Sequence, residues 1–287
     1  MEANKKKGFS PVRLLVLCAA LAVFVYSGSQ LLTYYLDNFR NDKQQQELID
    51  QAVVVLPPSE EQTQPKAEDP ATEETDGETQ DTLPTEPPVE TAPIYVDFET
   101  LQNQNPDIVG WIYCPDTNIN YPIVQGETNQ EYLYRSHTGE KNANGSIFMD
   151  FRNLPDFSDF NNIIYGHNMG VGEMFGTLKQ YADQKFYEEH PVMWLITPDK
   201  AYRLDLIAGM VTPSDSETYE LYSYMEDLHE RLEYVIPRSS FDCGEVDISQ
   251  VQQILTLSTC SYEYATARYV VIGSMVEVGY PQPPETE

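Results

Sequence analysis

Basic residues are scarce in this chain, which has 17 lysines and arginines against 46 aspartates and glutamates and a formal net charge of −29. Proteins that bind nucleic acid present a basic surface to the phosphates, so this deficit argues against nucleic-acid binding. Much of the acidity lies in residues 59–91, where eleven acids accompany one lysine, Lys66. The surplus therefore describes one segment and does not indicate an acidic active site.

Cysteine and histidine are also scarce, with four residues of each type in 287. The chain has no Cys-x-x-Cys pair, no histidine-rich cluster and no glycine-rich phosphate loop. These are the patterns by which metal sites and phosphate-bearing cofactors are recognised in a sequence. The sequence therefore predicts neither a metal nor a cofactor.

Large apolar residues are nearly missing from the acidic segment, which is rich in proline and threonine. Such a composition cannot bury enough surface to offset chain entropy, and its like charges favour extension. We expect a disordered spacer that holds a domain away from a surface. The predicted organisation is a tail and membrane anchor over 1–37, a juxtamembrane helix and linker over 38–93, a catalytic domain over 94–280 and a loose tail over 281–287.

One long hydrophobic run is present, over residues 14–32, and it follows Lys5, Lys6, Lys7 and Arg13. Nineteen helical residues span roughly 28 Å, close to the hydrocarbon thickness of a bilayer. The preceding positive charges predict a cytoplasmic N-terminus with the rest of the chain outside. A signal peptide cleaved near Ala20-Leu21-Ala22 is the alternative, but apolar and aromatic residues continue to Leu36 and favour an uncleaved anchor. A disulfide between Cys114 and Cys243 is then possible, although their spacing does not require one.

The segment Thr256-Leu257-Ser258-Thr259-Cys260 ends an apolar, β-prone run, and Arg268 opens the next such run. Neighbouring strands would bring the thiol and the guanidinium to one edge of a sheet. A thiolate is a strong nucleophile, and a fixed cation stabilises an oxyanion beside it. A cysteine alone would more often be a small buried residue.

A second apolar run, Asn161–Tyr165, leads through Gly166 to His167 at a predicted strand end. His167 could transfer protons for the Cys260 thiol. The other histidines, His137, His190 and His229, lie in polar or helical contexts and are interpreted as structural.

With these residues the sequence resembles sortases, the cysteine transpeptidases of Gram-positive cell surfaces. The resemblance rests on the Thr-Leu-x-Thr-Cys segment ending at Cys260, on Arg268 and on the Tyr165-Gly166-His167 turn. It covers about the last 185 residues, and the segments 105–112, 118–125 and 145–150 resemble the opening strands of class B members.

The resemblance implies a mainly β fold, an eight-stranded sortase-type barrel with peripheral helices. The periodicity predicts strands over 110–113, 121–124, 146–150, 163–165, 192–197, 202–211, 252–257 and 269–278. Helices are predicted over 38–55, from an Asp97 cap through Asn103, over 174–181 and over 184–189. A long helix over 216–234, which class B members carry between their sixth and seventh strands, is the most specific of these expectations.

The resemblance also implies that Cys260, His167 and Arg268 are the catalytic residues. The partners would be sorting-signal peptides of secreted surface proteins and an amine acceptor on a peptidoglycan precursor or a pilin. A second oxyanion donor is expected from a backbone N–H, with Ser261 as the candidate. Substrate contacts are expected from the following residues: Asn129, Leu133, Tyr165, Ser258, Thr259 and Glu263.

Two other functions remain open. A hydrolytic cysteine peptidase would use the same thiol and histidine, usually with an Asn or Asp that orients the histidine; Asn161, Asn162 and Asn168 are nearby in sequence. A surface-tethered binding module without activity would be expected to end in a sorting motif, an apolar tail and basic residues. The sequence printed here ends in Pro283-Pro284-Glu285-Thr286-Glu287 instead.

Overall fold

The computed structural model of the protein describes residues 11–56, 90–169, 172–261 and 263–283. The predictions for the N-terminal lysines, for the acidic segment between 57 and 89 and for the last four residues lie outside this range. The helices are α1 Pro11–Ala52, α2 Phe98–Gln104, α3 Gln184–Glu189 and α4 Met225–Val235. The strands are β1 Val53–Val55, β2 Ile94–Val96, β3 Ile108–Tyr113, β4 Asn120–Val124, β5 Ile147–Met149, β6 Asn161–Tyr165, β7 Val192–Ile196, β8 Ala201–Pro213, β9 Ile254–Cys260 and β10 Ala267–Val278.

Eight of these strands close a barrel in the order β10-β8-β7-β3-β4-β5-β6-β9. The pairs β4–β5 and β6–β9 are parallel and the others are antiparallel. Alternate residues of each strand point into the barrel, where Ile112, Leu195, Leu257 and Val271 belong to one fully buried cluster. The predicted eight-stranded mixed barrel is confirmed.

The outer face of the barrel is covered by chain that precedes it. Leu48 and Ala52, at the end of α1, are buried in one cluster with Ile94, Leu101 and Trp111. The packed body of the protein therefore includes Leu48–Leu56, nine residues of the predicted juxtamembrane helix and linker. The described residues before Leu48, residues 11–47, belong to a separate unit.

The two ends of the acidic segment are held side by side. Strand β1 pairs antiparallel with β2, so that Val55 lies opposite Ile94. Just beyond, the Leu56 N–H donates to the Pro93 carbonyl at 2.9 Å. The chain therefore leaves and re-enters the packed body at one place. The predicted role of the segment as a spacer stays a prediction.

The N-terminal helix contains the predicted membrane segment. Pro11–Thr33, 23 residues, is long and apolar enough to cross a bilayer. The predicted helix over 38–55 is correct as far as Ala52, but Val53–Val55 form a strand. Three consecutive β-branched residues favour strand pairing over helix, and β2 supplies the partner.

The predicted long helix over 216–234 is correct only from Met225 onward. Glu217–Tyr219 form a short 3₁₀ helix, and the α-helix begins only at Met225. Side chains from the barrel bind the first part of this segment, because Asn161 Nδ2 donates to the carbonyls of both Thr218 and Glu220 at 3.0 and 2.9 Å. Carbonyls held by such side chains are not available for a continuous helical ladder.

The smaller helices agree with the predictions in part. Asp97 caps α2, accepting from the Thr100 N–H at 3.0 Å. The helix predicted over 174–181 is a 3₁₀ helix, Gly176–Ala182.

The disulfide left open by the sequence is not formed. Cys114 and Cys243 are both free thiols. Cys114 is buried beside the Tyr181 hydroxyl at 3.6 Å, whereas the Cys243 thiol donates to the Ile207 carbonyl at 3.2 Å.

Candidate active site

Three strand ends meet at one edge of the barrel. Strands β6 and β9 are parallel with Tyr165 opposite Ser258, so they end at the same edge. His167 follows Tyr165 by two residues, and Cys260 is the last residue of β9. Strand β10 starts at this edge and places Arg268 directly opposite Cys260. The fold thus brings together the three residues predicted to be catalytic.

His167 is half-buried and fixed through one ring nitrogen. Its Nε2 lies 2.8 Å from the Leu133 carbonyl oxygen. A carbonyl only accepts, so Nε2 carries a proton and Nδ1 is left for proton exchange in the neutral ring. The Tyr134 ring lies 6.1 Å away, centroid to centroid. Leu133, predicted as a groove residue, therefore contributes through its backbone to the orientation of the histidine.

Cys260 is a partly exposed free thiol at a braced strand end. Its backbone carbonyl accepts from Asn168 Nδ2 at 2.8 Å. Asn168 follows His167 directly, so this hydrogen bond connects the loop that carries His167 to the backbone of Cys260. Sequence reasoning considered Asn168 only as an orienting partner of the histidine.

The Arg268 side chain is half-buried and lies along its own strand. Its Nη1 donates to the Ala267 carbonyl at 3.0 Å. Within the described ranges, no carboxylate lies at ion-pair distance from this guanidinium. A fixed guanidinium with further N–H groups is suited to binding a peptide carbonyl or an oxyanion.

The Ser261 N–H is not a free oxyanion donor, which corrects the prediction. It donates to the Ala267 carbonyl at 3.0 Å and closes the turn between β9 and β10. The Ser261 hydroxyl in turn donates to the carboxylate of Glu263, an exposed residue. Both residues therefore shape the loop beyond the nucleophile.

Ser258 and Thr259 do not line a groove, and their predicted role as groove residues is wrong. Both are buried, with 1% and 2% of their surface exposed. Ser258 Oγ lies 2.8 Å from the Tyr219 hydroxyl, and Thr259 Oγ1 donates to the Gly166 carbonyl at 2.9 Å. Both faces of β9 are covered, so these hydroxyls stabilise the strand that carries Cys260.

An aromatic pair lies beside the barrel edge at which β6 and β9 end. The half-buried Tyr165 ring stacks on Tyr219, with centroids 6.1 Å apart and planes 20° apart. Burial raises the pKa of Tyr219 to about 12, Arg268 opposes this shift through its charge, and Cys260 adds to it. Tyr219 therefore lies within electrostatic reach of two predicted catalytic residues. Sequence reasoning missed it because the segment was interpreted as part of a helix.

Asn129 is held by hydrogen bonds on both sides of its amide. Its Nδ2 donates to Asp150 Oδ2 at 3.0 Å, and its Oδ1 accepts from the Phe151 N–H at 2.9 Å. The Tyr165 hydroxyl donates to the same Asp150 oxygen at 2.8 Å. Two predicted substrate residues are therefore anchored on one buried carboxylate.

Known proteins share this fold and are similar in sequence. The sortase domain family model matches residues 112–276. Sortase B of Listeria monocytogenes is 33% identical over 259 residues, which cover 89% of this chain and 93% of the relative. Sortase B of Staphylococcus aureus is 36% identical over 184 residues, which cover 63% and 75% of the two chains.

Solved structures give the same result. A Staphylococcus aureus sortase B–substrate complex superposes with a TM-score of 0.59 at 34% identity, covering 63% of this chain and 85% of that chain. Sortase B from Bacillus anthracis in complex with AAEK1 gives 0.62 at 31% identity, covering 85% and 99%.

The chain belongs to the sortase family. Its relatives and structural neighbours are class B members, which agrees with the predicted class. Membership supports a cysteine transpeptidase of the sortase type that anchors proteins to the cell wall.

Proposed function

We propose that this protein is a membrane-anchored class B sortase that cleaves a C-terminal sorting signal of secreted proteins and joins the protein to an amine. The observation that carries the proposal is the convergence of Cys260, His167 and Arg268 at one barrel edge. A relative of known structure forms a sortase B–substrate complex, which supports a peptide substrate here.

In the first step the Cys260 sulfur attacks a backbone carbonyl of the sorting peptide. The carbonyl oxygen becomes an oxyanion, which the Arg268 guanidinium stabilises with its charge and N–H donors. His167 takes the thiol proton at Nδ1 as the sulfur attacks and gives it to the leaving amine as the C–N bond breaks. The products are a thioester on Cys260 and the released C-terminal peptide.

In the second step an amine attacks the thioester. His167 takes a proton from the incoming amine and returns it to the sulfur as the C–S bond breaks, which restores the thiol. One amide bond replaces another, so no nucleotide is required. The acceptor would be an amine of a peptidoglycan precursor or a pilin, and a sortase B structure has been obtained in complex with triglycine.

The apolar helix would anchor the enzyme with its N-terminus in the cytoplasm and its barrel outside. Lysines precede the helix in sequence, and positive charge favours the cytoplasmic side. Secreted proteins that cross the same membrane would then meet the active site on its outer face.

The rival function is a hydrolytic cysteine peptidase, which would use an asparagine or aspartate to orient the histidine. The side-chain N–H groups of Asn161, Asn162 and Asn168 all donate to backbone carbonyls, and the recorded partner of His167 is a carbonyl as well. This favours the transpeptidase. An inactive binding module would have no need for three converging catalytic side chains.

Mass spectrometry of the protein with candidate sorting peptides and triglycine or diaminopimelate tests the proposal. We expect a thioacyl adduct on Cys260 and a peptide joined to the amine, both lost in Cys260→Ala. Cys243→Ala, which removes another free thiol outside the site, is the matched control and should keep both products.

Each outcome discriminates between the functions. Cleaved peptide without a joined product, with every amine offered, would favour the peptidase. Full activity in Cys260→Ala, or no adduct with any peptide on the wild-type protein, would reject the proposed chemistry.

A further inference from the structure

Asp150 is a buried carboxylate with no part in the proposed chemistry. It follows β5 and has 0% of its surface exposed. A buried charge is stable only when partners satisfy it. Here Arg152 supplies Nε at 2.8 Å and Nη2 at 2.9 Å to the two carboxylate oxygens, and its backbone N–H adds a third bond at 3.0 Å.

The remaining partners of Asp150 come from two other parts of the chain. The Tyr165 hydroxyl and Asn129 Nδ2 both donate to Oδ2, at 2.8 and 3.0 Å. Burial alone would raise the pKa of Asp150, but the hydrogen bonds from Arg152, Tyr165 and Asn129 outweigh it and hold the pKa below its usual value. The group is therefore a charged acceptor for all its partners.

Arg152 extends this cluster to a fourth segment. Its Nη2 also donates to the Tyr219 carbonyl at 3.0 Å. We call these five residues the Asp150 cluster: Asn129, Asp150, Arg152, Tyr165 and Tyr219. It joins the loop after β4, the ends of β5 and β6, and the 3₁₀ helix before α4.

The cluster fixes both members of the aromatic pair. Tyr165 is held through its hydroxyl, two residues before His167, whereas Tyr219 is held through its carbonyl and, at the other end, through Ser258. Arg231 of α4 adds a bond from Nη2 to Thr218 Oγ1 at 2.7 Å, so the 3₁₀ helix is gripped on two sides. The stacked rings thus have a fixed place beside the catalytic edge.

We propose that Asp150 and Arg152 are positioning residues that hold the Tyr165–Tyr219 pair as a wall of the sorting-peptide groove. This inference rests on the proposed function. The cluster acts on peptide binding, because it contacts the aromatic wall, and leaves the thiol chemistry unchanged, because none of its recorded bonds reaches the Cys260 thiol or the His167 ring.

The chain offers a matched control for a merely structural ion pair. Arg203 binds Asp205 with the same two-residue spacing, Nε to Oδ1 at 2.8 Å and Nη2 to Oδ2 at 3.0 Å. This pair lies on β8 and also contacts Glu90, near the end of the acidic segment. Loss of its fork should affect stability alone.

The experiment compares Arg152→Lys and Asp150→Asn with Arg203→Lys in the full chain. The substrate is the peptide that forms the thioacyl adduct on the wild-type protein, and steady-state kinetics give kcat and KM. Alkylation of Cys260 by iodoacetamide, followed across pH, reports the thiol independently. Lys keeps the charge of Arg152 but loses the planar fork.

We expect the KM of both cluster variants to rise about tenfold, as for loss of a charge-assisted hydrogen bond. Their kcat should stay within about twofold of wild type, because binding is lost rather than stabilisation specific to the transition state. The alkylation profile should be unchanged, and Arg203→Lys should keep the wild-type KM. Tyr165→Phe, which removes only the hydroxyl link, should also raise KM. In the double variant the effects of Tyr165→Phe and Arg152→Lys on KM should be less than additive.

Several results would overturn the inference. An unchanged KM in folded Arg152→Lys, even with a lower Tm, would reduce the cluster to a structural ion pair. A shifted alkylation profile would place its effect on the thiol. If Asp150→Asn does not fold, Arg152→Lys and Tyr165→Phe decide the matter. A wild-type protein that forms no thioacyl adduct would reject the proposed function and this inference together, whereas an active wild type with unaffected variants would reject the inference alone.

Discussion

Replacement of residues 57–89 by Gly-Ser-Gly-Ser should stabilise the protein and leave its catalytic activity intact. Strands β1 and β2 pair on either side of this segment, with Val55 opposite Ile94. The segment is therefore a loop that folding must close, and its length enters the free energy of unfolding. If the segment acts only as a spacer, its removal should leave the free energy of unfolding unchanged.

The size of the effect follows from loop-closure entropy. The loop between Val55 and Ile94 would shrink from about 38 residues to about nine, which corresponds to a stabilisation of about 1.3 kcal/mol for a flexible chain. For a body of this size the expected rise in Tm is about 3–5 °C. The closing contacts themselves depend on burial of Leu48, which is 3% exposed, and Leu48→Ala should cost about 2–5 kcal/mol.

Urea unfolding of the wild type and the shortened variant measures the difference. A full-length variant with the ten acids of residues 57–89 replaced by their amides is the control, because it removes the charge and keeps the loop length. A gain in this control equal to that of the shortened variant would assign the effect to charge repulsion. An unchanged or lower free energy of unfolding in the shortened variant would refute the argument that the paired strands make this segment a closed loop.

Two further predictions concern single residues. Gly145 has φ +62°, and an added Cβ would lie 2.5 Å from the Leu133 carbonyl oxygen and 3.0 Å from His167 Cδ2. Because this Cβ would displace the histidine, Gly145→Ala should lower kcat/KM at least about tenfold. Gly139→Ala, at φ +83° with nothing within 4 Å, is the control for backbone strain, and equal losses in both would contradict this. Burial lowers the pKa of His137 to about 4, below its unfolded value of about 6.5. The unfolded state then binds the extra proton, so stability should fall by about 3 kcal/mol as pH drops from about 6.5 to 4. Urea unfolding of His137→Gln should lack that part of the slope, and identical slopes would argue against it.

The convergence of the predicted catalytic residues could be predicted because their signals are local. Cys260, Arg268 and His167 each stand at the end or start of an apolar run, and strand ends in one sheet meet at common edges. The motif around Cys260 is specific enough to imply the family, and the barrel came with it.

The support around these residues could not be predicted, because it depends on contacts distant in sequence. The periodicity of residues 216–234 predicts one helix, but the carbonyls of Thr218 and Tyr219 accept hydrogen bonds from Asn161 and Arg152. These two residues lie more than 50 residues earlier in the chain. Ser258 and Thr259 flank the nucleophile in sequence, but the covering of β9 on both faces turns them into buried braces. The sequence of Val53–Val55 predicts a strand but does not indicate that β2 is its partner.

The parallel pairing of β6 with β9 sets the time at which this enzyme can become active. Tyr165 and Ser258 are direct neighbours in the sheet but 93 residues apart along the chain, and the nucleophile lies within the last tenth of the sequence. Synthesis runs from the N-terminus, so a growing chain carries His167 long before Cys260 or Arg268 exists beside it. Contacts of such sequence separation are slow to form. A partly synthesised chain therefore holds no complete site, which forms only when the final strand closes the barrel.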